Sequence, residues 1–314
     1  MKSFEEILII TGGLGHIGSS LFRSLHNNNR FIIVNDNLSS ERFCSTFNYH
    51  LKHNMKFTFG DIREKQFENS VIDLCKGINY KKMTIIHLAA ITDAASSFDK
   101  ADNVIENNLN GTRAVIELAN SLDANVIFPS STSVYGDNSE LVTEASKLFP
   151  QSPYAESKIS EEEIVQKYEK SIILRLGTIV GPSQGMRFHT AVNSFIWKAL
   201  INQPIQIWKT AYNQKRPYLC LKDLVNLIQF VINKDLFNQS IFNILNENST
   251  PKIITDEIRT HIPNLEIEFV DSKIMNQLTY EVSKELVENQ GFKFELTIKE
   301  AILDTIEFLK SNEQ

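Results

Sequence analysis

The sequence predicts an α/β protein built on a doubly wound parallel sheet, with a smaller, discontinuous α/β lobe attached. Two observations carry this. Short, mostly apolar runs at residues 7–10, 31–34, 55–59, 83–87 and 125–128 are separated by helical stretches, as buried parallel strands joined by crossovers require. The first run also ends abruptly in Thr11-Gly12-Gly13-Leu14-Gly15-His16-Ile17-Gly18, and an amphipathic pattern follows at once. Gly13-x-Gly15-x-x-Gly18 fits the dinucleotide fingerprint, whose glycines permit a tight turn, close backbone approach to a pyrophosphate and packing of helix on strand.

The elements follow in order. The second strand ends at Asp36, eighteen residues after Gly18, where an acid can accept ribose hydroxyls and repel a 2′-phosphate, so NAD is expected rather than NADP. Residues 37–54 form a polar loop; His50 and His53 in it lack a third ligand, so no metal is expected. The third strand runs into Gly60-Asp61-Ile62-Arg63. Asp61 can reach an adenosine or cap a helix over 63–75, and both roles are compatible. The fourth strand opens into Leu88-Ala89-Ala90, small enough for backbone to approach a cofactor. A helix over 99–122 contains Gly111, which suggests close packing of another element. The fifth strand leads to Pro129-Ser130-Ser131-Thr132-Ser133-Val134-Tyr135-Gly136, a hydroxyl-rich loop where substrate chemistry belongs. A further helix starts at Ser152-Pro153-Tyr154-Ala155-Glu156-Ser157-Lys158, placing Tyr154 and Lys158 on one face.

Composition narrows the partners. The 314 residues are enough for one large domain with a companion lobe, and 42% hydrophobic with 22% charged residues is ordinary for a globular protein. A formal charge of −6 leaves no basic surplus for nucleic acid. Cys44, Cys75 and Cys220 are widely spaced and form no Cys-x-x-Cys pair, so neither disulfides nor a zinc site are expected. With no secretory signal and no apolar run of membrane-spanning length, a cytoplasmic protein without membrane contact is expected.

These motifs together resemble the extended short-chain dehydrogenase/reductases, in their NAD-dependent nucleotide-sugar epimerase/dehydratase family. The resemblance also covers Asn108-x-x-Gly111-Thr112, Leu174-Arg175-Leu176, Gly181-Pro182 and the segment from Arg216 to Leu224. It implies a Rossmann-type NAD domain over 1–176 and about 219–246, with a sugar-nucleotide lobe over 177–218 and 247–314. By the same resemblance Ser131, Tyr154 and Lys158 are catalytic. Gly12, Gly15, His16, Ile17, Asp36, Asn37, Asp61, Ile62, Leu88, Ala89, Ala90 and Asn108 would bind NAD together with Tyr154 and Lys158. Thr92, Ser131, Thr132, Thr178, Arg187, Asn193 and Arg216 would meet a nucleotide-sugar substrate, Arg216 through its diphosphate. A homodimer is implied, formed by helices over 99–122 and 154–170; Ile105, Leu109, Ile159 and Val165 are compatible with that contact.

Tyr154 would act as a base on a sugar hydroxyl. A phenol titrates near ~10, so working at neutral pH needs a lowering of about 3 units, roughly 4 kcal/mol, for which Lys158 and the cofactor's positive ring are the sources. Departures from the family pattern narrow the reaction. Thr132 and Ser133 stand where the dehydratases and decarboxylases carry acids, which disfavours dehydration. Thr178 replaces a frequent Asn, the stretch from Gln184 to His189 is unusual, and Lys273 is the only basic candidate near 271–276. Arg187 and His189 are therefore candidates to meet an unusual sugar. The expected activity is epimerisation at C4 of a nucleotide sugar. A 4-dehydrogenase releasing the keto sugar is the rival, ahead of a dehydratase and a non-catalytic NAD-binding regulator.

Overall fold

The computed structural model describes residues 2–92, 101–136, 140–188, 190–271 and 280–310. The first half runs β1 (Lys2–Thr11), α1 (His16–Ser24), β2 (Arg30–Asp36), β3 (Met55–Phe59), α2 (Lys65–Cys75), β4 (Ile78–His87), α3 (Ala101–Leu122) and β5 (Asn125–Ser131). Then come β6 (Leu141–Val142), α4 (Pro153–Val165), β7 (Ser171–Leu176), β8 (Thr178–Val180), α5 (Ala191–Leu200), β9 (Ile205–Trp208) and β10 (Arg216–Cys220). The chain closes through α6 (Leu221–Lys234), β11 (Ser240–Ile244), β12 (Glu247–Ser249), α7 (Pro251–His261), β13 (Ile267–Val270), β14 (Glu281–Val282), α8 (Glu285–Asn289) and α9 (Ile298–Lys310).

Seven strands form one wholly parallel sheet in the order β11-β7-β5-β4-β1-β2-β3. Strand order reverses between β1 and β4, and ligands bind beyond the carboxyl ends of strands at such a switch point. The β-period of two sorts the β1 side chains onto opposite faces. Ile7 and Ile9 pack with Phe67, Val115 and Leu118 of α2 and α3. Leu8 and Ile10 pack with Leu21 and Phe22 of α1 and with Leu224 and Ile228 of α6. Both faces are covered, which is why these strands read as continuous apolar runs. β1 and β4 extend beyond those runs because Lys2, Ser3 and Phe4 pair with Ile78, Asn79 and Tyr80 at the outer end of the ladder.

Local chemistry sets the helix starts. Ser152 caps α4, its Oγ accepting from the Ala155 amide at 3.2 Å, and Pro153 occupies the first turn. Asp61 does not cap α2. That helix begins at Lys65 after Glu64, while Asp61 Oδ1 accepts from the Arg63 amide at 2.9 Å and its carboxylate pairs with the Arg63 guanidinium. Helix α3 is described from Ala101; Asp99 lies outside the described residues. A Cβ at Gly111 would stand 3.0 Å from Ile62 Cδ1, so this glycine seats the loop after β3 against α3.

A second apolar cluster joins Val180, Val192, Ile196, Ile205, Tyr218, Ile254 and Ile302, from β8, α5, β9, β10, α7 and α9. Its strands form the small sheets β12-β10-β8 and β13-β9. Helix α9 packs against α5 and α7 to complete it.

Candidate active site

The carboxyl ends of β1, β2, β4, β5 and β7 open into one cleft of about 720 Å³. Its floor is the glycine turn. Gly12 has φ +63, and a Cβ there would lie 2.7 Å from the Ala89 amide nitrogen, so the loops after β1 and β4 touch backbone to backbone. A Cβ at Gly18 would lie 2.6 Å from both Cα and O of Gly13, so only glycine lets α1 sit this close to the turn. Helix α1 starts after Gly15 without a side-chain cap, and Gly12, Gly15, His16 and Ile17 all line the cleft. The helix start thus offers its first amides and positive dipole end to an anion.

Asp36 sits at the end of β2, buried and lining the cleft. Its Oδ2 accepts from the Leu14 amide at 3.0 Å and its Oδ1 from the Leu38 amide at 2.9 Å, which orients the carboxylate across the turn. Asn37, Asp61 and Ile62 line the same end, and Leu88, Ala89 and Ala90 form the wall after β4. Arg63 hydrogen-bonded to Asp61 holds that carboxyl below its usual range. A glycine turn at a helix start, an acid at the next strand end and a small-residue wall are a donor set that fits a dinucleotide.

Asn108 is not part of this wall. Its amide accepts from the Ile91 nitrogen at 2.9 Å and donates to the Ile91 carbonyl at 3.1 Å and to Ser157 Oγ at 3.3 Å. It therefore braces the loop after β4 against α4 from behind. A clasp from the other side joins His16 Nε2 to the Gly181 carbonyl at 2.9 Å and Arg42 Nη1 to the Gly185 carbonyl at 2.6 Å.

Ser131 ends β5, and Tyr154 and Lys158 face it from the first two turns of α4; all three line the cleft. The Ser131 hydroxyl favours the ionised form of the Tyr154 phenol. Thr132 is buried beside them, its hydroxyl donating to the Leu176 carbonyl at 3.2 Å. Burial pushes the Tyr154 phenol above its ordinary value; Lys158, Ser131 and Arg187 oppose that, and Glu161 reinforces it. Lys158 alone therefore does not bring the phenol toward neutrality, which leaves the cofactor's positive ring as the second source expected from the sequence. Its ammonium is turned to Glu161, 3.1 Å away, and lies 4.7 Å from the Phe128 ring centroid.

The expected substrate residues divide. Thr92, Thr178 and Arg187 line the cleft, and Arg187 donates to Thr92 Oγ1 at 2.7 Å. Arg216 is half-buried and stacks on Tyr280, 5.0 Å from the ring centroid; Tyr280 itself lines the cleft. Asn193 is fully buried in α5, and among the described residues neither polar atom of its amide has a hydrogen-bond partner. His189 and Lys273 lie outside the described residues.

The model of the NAD dependent epimerase/dehydratase family matches residues 8–244. The chain belongs to this family. A dTDP-D-glucose 4,6-dehydratase of Dictyostelium discoideum is 31% identical over 293 residues, 84% of this chain but only 63% of that protein's length. A Methanocaldococcus jannaschii protein provisionally named a UDP-glucose 4-epimerase is 28% identical over 318 residues, 98% of this chain and 99% of the other. The UDP-glucose 4-epimerase of Thermotoga maritima, solved with UDP-glucose, shares the fold with a TM-score of 0.86 at 21% identity, covering 98% of this chain and 100% of that one. The chain is thus a member of an NAD-dependent epimerase/dehydratase family and carries a Rossmann-type parallel sheet.

Two site residues escape motif reading. Tyr280 comes from the loop before β14 and has no local signal. Glu161 has one: it stands one helical turn after Lys158, in the run Glu161-Glu162-Glu163. Its neighbour Glu162 is also buried, paired with Arg175 at 2.7 Å and accepting from Ser130.

Proposed function

We propose that the enzyme is a nucleotide-sugar 4-epimerase. The observation that carries this is the set around Ser131. Tyr154 and Lys158 face it, Thr132 and Ser133 follow it, and among the described residues the carboxylates lining the cleft are Asp36 and Asp61 at the far, adenosine end. The set can take a proton from a sugar hydroxyl and return it, while no lining acid stands beside it to eliminate water. Likeness to a dehydratase makes elimination the rival reading, and this lack of an acid argues against it.

NAD would be held by the glycine turn, Asp36 and the Leu88–Ala90 wall, and supplies a reversible hydride acceptor there. Tyr154, as phenolate, takes the proton from the C4 hydroxyl. Ser131 donates a hydrogen bond to the same oxygen and stabilises its developing charge. The sugar becomes a 4-keto intermediate, and Tyr154 returns the proton when the carbon is reduced on its other face. Thr92, Thr178 and Arg187 are placed to contact the sugar. Arg216 on Tyr280 and the unpaired Asn193 amide are the candidates for the nucleotide, a role for which a guanidinium fork suits a diphosphate. Residues 177–218 and 247–314 would form this substrate lobe. The three cysteines form no disulfide, which suits a cytoplasmic enzyme; among the described residues no helix is long and apolar enough to cross a membrane.

The test is incubation with UDP-, dTDP-, GDP- and CDP-hexoses, followed by mass spectrometry and proton NMR. A product of unchanged mass with C4 inverted is expected. Loss of water would establish dehydration, a released 4-keto sugar would establish a dehydrogenase, and absence of any turnover would favour a regulator.

A further inference from the structure

We propose that Glu161 is a positioning residue for the Tyr154–Lys158 pair, holding Lys158 with a carboxylate on which a one-way hydrogen-bond chain from the cofactor loop ends. The proposal rests on reading Tyr154 as the base. Lys158 and Glu161 side chains are 4% and 1% exposed, so this ion pair is shut away from water. Such a pair is stable only if its remaining valences are satisfied. On the Glu161 side the Thr112 hydroxyl, reaching across from α3, donates to Oε1 at 2.8 Å, whereas Oε2, 3.1 Å from the ammonium, has no hydrogen-bond partner among the described residues. On the Lys158 side the ammonium lies 4.7 Å from the centroid of the Phe128 ring, within cation–π reach.

The chain continues inward with its direction fixed at every step. A carboxylate only accepts, so the Thr112 proton points to Glu161. Thr112 Oγ1 must then accept from His87 Nε2, 3.2 Å away. His87 Nδ1 is left as an acceptor and meets the Thr11 hydroxyl at 2.9 Å. Thr11 Oγ1 in turn accepts from the amides of Leu88 and Ala89 at 3.2 and 3.3 Å. Burial holds His87 far below its ordinary value, at about 3, so the ring stays neutral and serves as donor and acceptor at once. The chain starts at two peptide amides, which keep their protons. It orients Glu161 and does not conduct protons.

The consequence falls on Tyr154. The groups acting on its phenol are Lys158 and Glu161 from α4, Ser131 from β5 and Arg187 from the loop after β8. Thr112 from α3 and neutral His87 from β4 bear on the Glu161 carboxylate. The Glu161 carboxylate opposes phenolate formation, so it adds to burial in raising the pH at which the base forms while fixing where Lys158 points.

The test needs no sugar, so it can fail independently of the assigned reaction. Tyrosinate ultraviolet absorbance is titrated in wild type and in Tyr154→Phe, with and without NAD, and the difference gives the midpoint of Tyr154. The same pair is measured in the Glu161→Gln background. The midpoint should fall by about one pH unit in Glu161→Gln and return most of the way in Glu161→Asp. Thr112→Val strips a donor from the carboxylate and should raise the midpoint. An unmoved or raised midpoint in Glu161→Gln overturns the proposal. If that variant does not fold, Thr112→Val decides alone: a raised midpoint supports the proposal, and an unmoved or lowered one overturns it.

Discussion

At the scale of single residues, Tyr154 carries the most. Its phenol is favoured as the anion by the Ser131 hydroxyl and by a buried lysine one helical turn away. Removing only the hydroxyl, in Tyr154→Phe, should lower turnover by about 10²–10⁴-fold, the usual contribution of a positioned general base. Steady-state rates on the active nucleotide sugar, with calorimetry to show NAD binding retained, check this. His87 gives a pH prediction. Its value is about 3 in the fold against an ordinary 6.5, so the unfolded chain takes up the proton first as pH falls. Its effect on stability is absent above about 6.5 and destabilises progressively below it, at ~1.4 kcal/mol per pH unit. Between pH 6.5 and 5 wild type should lose about 2 kcal/mol more than His87→Gln in urea unfolding. Equal losses would mean that the buried imidazole is not the group responsible.

At the scale of elements, short-range chemistry was legible and side-chain reach was not. The glycine turn, Asp36 and the Tyr154–Lys158 spacing are each set by one strand end or one helical turn, and their geometry follows from local rules. Asn108 and Asp61 show the limit. Both lie in recognisable motifs, yet Asn108 turns its amide to Ile91 and Ser157, and Asp61 folds back on Arg63 instead of capping α2. The Glu161–Thr112–His87–Thr11 chain joins residues 49, 25 and 76 positions apart, a distance no periodicity spans. The glycine turn also yields a prediction. Gly18→Ala would force a Cβ to within 2.6 Å of Gly13 backbone atoms, lifting α1 from the turn. NAD affinity should fall at least about tenfold, the equivalent of ~1.4 kcal/mol of misplaced helix terminus. Calorimetric titration with NAD measures it, and unchanged affinity would show that the turn tolerates the methyl.

At the scale of the whole molecule, α3 and α4 pack side by side against the β5 side of the sheet. Ile105, Leu109 and Ile159 remain half-buried on them, available to a second copy. Val165 is not available: it is fully buried with Phe128 and Ile173 beneath α4. A homodimer through these two helices is the expected assembly, and light scattering at micromolar concentration should return twice the 35.9 kDa chain mass. A monomer mass would leave those half-buried side chains as ordinary surface. The second apolar cluster was the least legible part, because its short strands pair across long gaps, as Ile267 with Ile205.

The central claim is that one carbon, C4, loses and regains its hydrogen within this cleft under the control of Tyr154. The most direct measurement uses the turned-over nucleotide sugar carrying deuterium at C4, with the product read by NMR. The account predicts a C4 epimer that still bears its deuterium at C4, formed by wild type and not by Tyr154→Phe. Deuterium lost to solvent or found on another carbon would contradict it.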